Sequence, residues 1–265
     1  MKRLALILFF LSITALLFGN TLIVHSGEDL AGALKQAKDG DIVFVYRGKY
    51  DACASLNKDL TIMGAEEGVI LYCSKKAEAV FKITKANVSI ENVKLIVQED
   101  IGIAAFNSKI SLENVDISIK DSGIGIMFSG GELYGDKLKV HGTKGSYTGR
   151  GIYLGGQGIA VIKELEASYM KRGIVTEAKR VLILQGDIYD NEYGVVVIGG
   201  DVTVALSKFQ TNLNGLLVSG KSQIEIVANK FEGNGNDILY NQKYYKFDDK
   251  YEIQPFNGEV IRIGK

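Results

Sequence analysis

The sequence predicts an all-β fold, a single-stranded right-handed parallel β-helix of about eight turns of 21–26 residues with a short N-terminal capping helix. Three observations predict it. A glycine opens an apolar strand six times, at Gly102-Ile-Ala-Ala, Gly125-Ile-Met-Phe, Gly151-Ile-Tyr-Leu, Gly173-Ile-Val-Thr, Gly194-Val-Val-Val and Gly215-Leu-Leu-Val. Each period holds two more short alternating runs, such as Val88-Ser-Ile-Glu-Asn and Lys94-Leu-Ile-Val, and three strands with three turns leave no room for a helix in the repeat. The single proline, Pro255, lies beyond every repeat, as it must where nearly every strand donates to a ladder neighbour. Two glycine-free copies, Val80-Phe-Lys-Ile and Asp237-Ile-Leu-Tyr, flank the series as atypical terminal repeats.

The elements follow in chain order. Residues 1–19 read as a signal peptide, with Lys2 and Arg3, an apolar run from Leu4 to Phe18, then Gly19 before polar Asn20. The run is short for the roughly 20 residues that span a bilayer core, which favours a cleaved signal over the alternative of a retained anchor, and no later segment is long and apolar enough to span, so no transmembrane segment is expected in the mature chain. Export follows, to the periplasm, the cell envelope or the outside. Acidic and basic side chains both number 31, and losing Lys2 and Arg3 leaves the mature chain weakly acidic, which excludes a nucleic-acid partner. In an oxidising compartment Cys53 and Cys73 are expected to form a disulfide, since positions slightly less than one turn apart fall within bridging reach.

Residues 20–50 read as the capping helix and first strand. They run Gly27-Glu28-Asp29-Leu30, then Ala33-Leu34 and Ala37, then Gly40-Asp41-Ile42-Val43-Phe44-Val45 and Arg47-Gly48-Lys49-Tyr50, followed by Leu60-Thr61-Ile62-Met63-Gly64. Apolar spacing at Leu30, Ala33, Leu34 and Ala37 supports the helix by itself. The stretch resembles the opening of pectin-lyase-like right-handed β-helix proteins, in which a helix plugs the end of the coil. The glycine-led repeats are also similar to those of NosD-type copper-assembly proteins and of sugar-binding β-helix modules. The resemblance implies the fold, and it implies an activity only loosely, because lyases, hydrolases, epimerases, adhesins and non-catalytic binders share it. Residues 51–240 form the coil in this reading, and 241–265 its C-terminal cap.

Function is sought on the outside of the coil, where the resemblance places catalytic acids, calcium ligands and arginines in the polysaccharide-degrading families. The residue after each repeat glycine points in and the next points out. The outward row is Lys82, Ala104, Met127, Tyr153, Val175, Val196, Leu217 and Leu239, which offers no paired carboxylates for hydrolysis and no oxygen cluster for calcium. No catalytic residue, metal or cofactor is assigned. With only His25 and His141 outside the leader and no spaced Cys/His set, a metallochaperone ranks last. Arg150 and Arg172 each precede a repeat glycine and should stack on neighbouring turns, where two guanidinium groups either grip an anion or meet local acids such as Glu164, Glu166 or Glu192.

The longest interval carries a loop, His141-Gly-Thr-Lys-Gly-Ser-Tyr-Thr-Gly-Arg150, that brings His141, Lys144, Tyr147 and Arg150 toward Tyr153. Ligand-binding candidates are therefore Arg150, Arg172, His141, Tyr147 and Tyr153. The apolar outward row, with Met127, Val175, Val196 and Leu217 as interface candidates and continuing onto Ile162, Leu182 and Leu184, marks a face covered by the tail, a second copy or an envelope protein. The third strand's outward row of Lys94, Asp116, Lys139, Glu166, Asp187, Lys208 and Lys230 reads as a solvated face. The expected function is a non-catalytic binding or interaction scaffold for an acidic polysaccharide or partner protein. The alternative is a polysaccharide lyase or glycoside hydrolase acting on an acidic glycan.

Overall fold

The structure, a computed structural model, describes residues 19–75, 79–219 and 222–240, with the backbone alone of 243–245 and 261–264. The expected leader lies, but for Gly19, outside the described residues, as does most of the tail. Three short strands per turn stack on their counterparts in the next turn, and all described pairings are parallel except that of Asn236–Tyr240 with Lys243–Tyr245. The coil has about 10 turns, more than the glycine-led copies indicate. The additional turns lie at the N-terminal end, where Thr21–Val24, Asp41–Val45 and Leu60–Gly64 stack in sequence without any glycine-led strand.

Inward side chains form three continuous ladders. On the first face Phe81, Ile103, Ile126, Ile152, Ile174, Val195, Leu216 and Ile238 follow one another. On the second, Val43, Ile62, Ile90 and Leu112 lead through Gly135 to Ile162, Ile183, Val204 and Ile226. On the third, Tyr50, Leu71, Leu95, Ile117, Val140, Ala167, Ile188 and Phe209 end on Phe231, stacked face to face on Phe209. The first face's isoleucines are essentially inaccessible, and burying each contributes about 1.5–3 kcal/mol.

The glycine row has a steric cause. A Cβ on Gly102 would stand 2.5 Å from the Gly125 carbonyl oxygen, one on Gly125 2.7 Å from that of Gly151, and one on Gly151 2.2 Å from that of Gly173. Successive turns nearly touch at the corner that opens the first face, and only a residue without Cβ fits. The opposite corner, between second and third strands, is made by one left-handed residue per turn: Asn92, Asn114, Lys137, Glu164, Gln185, Leu206 and Ala228 all have φ between +47° and +55°. The bend is so tight that Asn87–Val97 continues as one strand through it.

Helix Leu30–Gln36 closes the N-terminal end. Asp29 caps it by accepting from the Gly32 N–H at 2.9 Å, while Leu30 and Leu34 are buried against the first turn. Cys53 and Cys73 are joined in a disulfide with Cα atoms 4.8 Å apart. At the other end a buried asparagine ladder fills the corner between third and first strands. Asn191 donates to Asn212 Oδ1 and Asn212 to Asn234 Oδ1, each at 3.0 Å, and the same oxygens accept the backbone N–H groups of Asn191 and Asn212. Ile261–Gly264 pairs with Ser222–Val227, extending the second face by one strand.

Candidate functional site

The first face presents three outward columns, the first three residues before the central one and the last two residues after it. The central column is the expected one: Lys82, Ala104, Met127, Tyr153, Val175, Val196, Leu217 and Leu239 are register partners in that order. The preceding column places Arg150 beside Arg172 and then Tyr193. Among the described residues neither arginine makes an ion pair. Of the acids named as local partners, Glu166 binds Lys139 at 3.3 Å and accepts from Tyr189 at 2.7 Å. Two like charges on adjacent turns, with no acid between them, make a site of positive potential.

The column after the central one holds Glu177, which the sequence reading missed. Tyr153 donates its hydroxyl to the Glu177 carboxylate. That bond, with burial and the nearby negative charge behind it, pushes the Tyr153 phenol above its ordinary value. Outward parity recurs two residues along a strand, so Glu177 was findable by continuing the alternation past Val175.

The other loop candidates go elsewhere. His141 lies on the third face, in register with Ser118 and Ser168, and its Nε2 is 2.9 Å from Asp116 Oδ1. Lys94 reaches the other oxygen of Asp116 at 3.0 Å. Burial works to raise the Asp116 carboxyl, but the hydrogen bonds from His141 and Lys94 outweigh it and hold it below the usual carboxylate range. Sequence proximity to Arg150 was misleading for His141, because a corner of the coil intervenes. Tyr147 is 49% exposed, and its hydroxyl adds to the upward push that burial and Asp190 exert on Tyr169 at that corner. The structure thus unites Arg150, Arg172 and Tyr153 and separates His141 from them.

The apolar row is less open than its composition suggests. Val175 and Val196 are only 4% and 5% exposed, while Met127 and Leu217 are half-buried. Ile162, expected to extend this row, instead points inward and is fully buried. Its outward neighbours on the second face are Val161, Leu182 and Leu184. The third face carries its mixed charges in register and largely paired, Lys94 with Asp116 and Lys208 with Glu232. Among the described residues, the one group with metal-ligand spacing is Asp51, Cys53 and Cys73, and its two sulfurs are spent on each other.

Comparison with known proteins places this geometry. The family described as "Right handed beta helix region" matches residues 78–235. No curated protein matches the sequence. Among solved structures, the PL6 family alginate lyase AlyGC is similar with a TM-score of 0.59 at 14% identity, over 93% of this chain and 39% of that one. The A-module of the Azotobacter vinelandii mannuronan C-5 epimerase AlgE4 aligns with a TM-score of 0.33 at 10% identity, over 83% of this chain and 87% of the module. The catalytic domain of a GH87 α-1,3-glucanase, in complex with nigerose, aligns at 0.38 and 8% identity over 92% of this chain and 68% of that one. This chain spans 39% of the alginate lyase's length, and the likeness to it is one of fold. With the family match covering more than half its length, the chain belongs to the right-handed β-helix family.

Proposed function

We propose that the protein is a non-catalytic binder of acidic polysaccharide that works outside the cytoplasm and holds its ligand on the first face of the coil. The observation that carries this reading is the in-register pair Arg150 and Arg172, free of ion pairs among the described residues and flanked by Tyr153. Guanidinium groups form paired, charge-assisted hydrogen bonds with carboxylates, and a phenol ring beside them offers a stacking surface to a sugar. The leader-like N-terminus and the Cys53–Cys73 bridge support an oxidising compartment. A polymer is favoured over a second copy of the chain as partner of the first face, because Val175 and Val196 in the middle of the row are almost fully buried and offer a second copy little apolar surface.

The test is titration of the protein with polyuronates and neutral glycans, at low and high salt, with reducing ends and unsaturated sugar ends assayed in parallel. Acidic polymers are expected to bind, more weakly in salt, without cleavage. The triple variant Arg150→Ala, Arg172→Ala, Tyr153→Ala is expected to lose binding, and full retention moves the site elsewhere. A lyase is the second reading. It is favoured by the Tyr153–Glu177 hydrogen bond beside Arg150, which sets a proton donor and a carboxylate next to a cation able to neutralise a uronate. Accumulation of unsaturated ends in the same assay would establish it in place of the first.

A further inference from the structure

On the second face, outward side chains of consecutive turns form columns of register partners. One runs Lys109, Glu132, Ile159, Arg180 and Asp201, and beside it runs Ser111, Tyr134, Val161, Leu182 and Thr203. Tyr134 and Ile159 are 39% and 38% exposed, and with Val161 they wall a mostly apolar hollow of about 450 Å³. Lys109 pairs with Glu132 at 3.1 Å in the open, whereas Arg180 and Asp201 make no ion pair among the described residues.

We infer that this patch is the interface of a two-fold dimer, in which the second faces of two copies pack together with their coil axes antiparallel. The charges carry the inference. Along the coil the first column reads positive, negative, apolar, positive, negative, so reversing it about Ile159 sets every charge against its opposite. A two-fold axis along the strand of Ile159 and Val161 performs that reversal and keeps each column on itself. Lys109 then meets Asp201 of the second copy and Glu132 meets Arg180 of the second copy, each twice by symmetry. The neighbouring column matches in the same way. Val161 meets its own counterpart, Tyr134 and its hollow receive Leu182, and Ser111 meets Thr203. Apolar groups thus fill the centre and complementary charges flank it, as in specific interfaces. Lys163 would face its counterpart across the axis, but its Nζ leans a turn away over the Tyr134 ring, 5.5 Å from the centroid. An axis along the coil instead would set Glu132 against Asp136, two like charges, and Arg180 against Leu184. Five strands span roughly 19 Å at about 4.8 Å per step. Such a patch is at the small end of interfaces, so the dimer is a weak one that dissociates in the micromolar range. Arg150 and Arg172, on the first face, stay uncovered.

The experiment is sedimentation equilibrium of the full chain. A reversible monomer–dimer equilibrium is expected. Arg180→Glu should weaken it by about tenfold or more, and so should Glu132→Arg, because each places like charges opposite one another at both symmetric contacts. Both side chains are exposed, so the fold survives either change. Mixing the two variants decides the geometry. One brings acids at both positions and the other brings bases at both, so only the mixed pair opposes every charge again and is expected to recover most of the lost affinity. Recovery on mixing is something that damaged folding cannot give. A parent that stays monomeric, dimers that survive either reversal, or variants that fail to associate when mixed overturn the inference. A monomeric parent whose oligouronate affinity falls in Tyr134→Ala makes the patch a sugar-binding surface instead.

Discussion

Between Thr21 and Thr84 the turns are unequal in length, and they are secured by a helix and a disulfide around aliphatic side chains. From Gly173 onward the first-face strands recur every 21 or 22 residues, and one corner is secured by asparagines bonded to asparagines. The difference teaches why one half is periodic and the other is not. Asn212 and Asn234 each accept both a backbone N–H and a side-chain amide of the preceding turn, so a residue gained or lost would orphan several buried polar groups at once. Aliphatic corners carry no such directional demand. The 26-residue interval between Gly125 and Gly151 is absorbed by a surface loop two turns before the ladder begins at Asn191.

What the two halves share is the aliphatic stack, and the largest expected effect comes from breaking it. Ile174→Asp buries a charge with no partner and should destabilise the coil by about 5 kcal/mol, enough to unfold it. Amide exchange followed by mass spectrometry decides whether the halves are one cooperative unit. Loss of protection in both is expected, and surviving protection around Ile62 and Leu71 would mean that the N-terminal turns fold alone.

Next in size is Asn212→Leu. It leaves the Asn191 backbone N–H, the Asn191 side-chain amide and the Ile188 carbonyl without the partner they have now. The cost is about 4 kcal/mol, read as a shift in the denaturant midpoint, with protection lost first in the C-terminal turns. Cys53→Ser with Cys73→Ser should cost about 3 kcal/mol by freeing a loop of this length in the unfolded chain. Its exchange signature should be the mirror image, confined to the N-terminal turns. Identical exchange maps for the two variants would erase the distinction drawn between the halves.

The fold was legible because its two strictest demands leave marks in composition. A glycine is required where Gly102, Gly125 and Gly151 approach the next turn's backbone, and a branched aliphatic residue is required at Ile126, Ile152 and Ile174. The first N-terminal turns were not counted because their corners impose no such glycine. Of the site, the arginine pair was legible from register alone. His141 was misplaced because chain distance does not report which face a residue occupies, and Glu177 was passed over because the alternation was followed for one outward position rather than two. The left-handed corners left little trace. Asn92 and Asn114 suit a positive φ, but Lys137, Glu164, Gln185, Leu206 and Ala228 hold it only because the stacked turns above and below impose it.

That imposed conformation supports the smallest and most discriminating prediction. Leu206 has φ +54°, is 60% exposed, and donates its backbone N–H to the Val227 carbonyl at 2.9 Å, so its side chain contributes little packing while its backbone bears the strain. An L-residue with Cβ in this region costs about 1–2 kcal/mol, and asparagine tolerates it better than leucine. Leu206→Asn should therefore stabilise the protein by about 0.5–1 kcal/mol, seen as a higher denaturant midpoint at unchanged slope. Leu206→Gly relieves the same strain but loosens the unfolded chain, so its gain should be smaller. The order Asn above Gly above Leu is the signature of a strained corner. Nearer the N-terminus the same corner already carries Asn92 and Asn114, with Asn114 donating to Asn92 at 2.9 Å, so Asn114→Leu, which loses that bond as well, should cost more than Leu206→Asn gains. A loss of stability in Leu206→Asn would mean that the exposed leucine, not the corner's backbone, is what holds that turn in place.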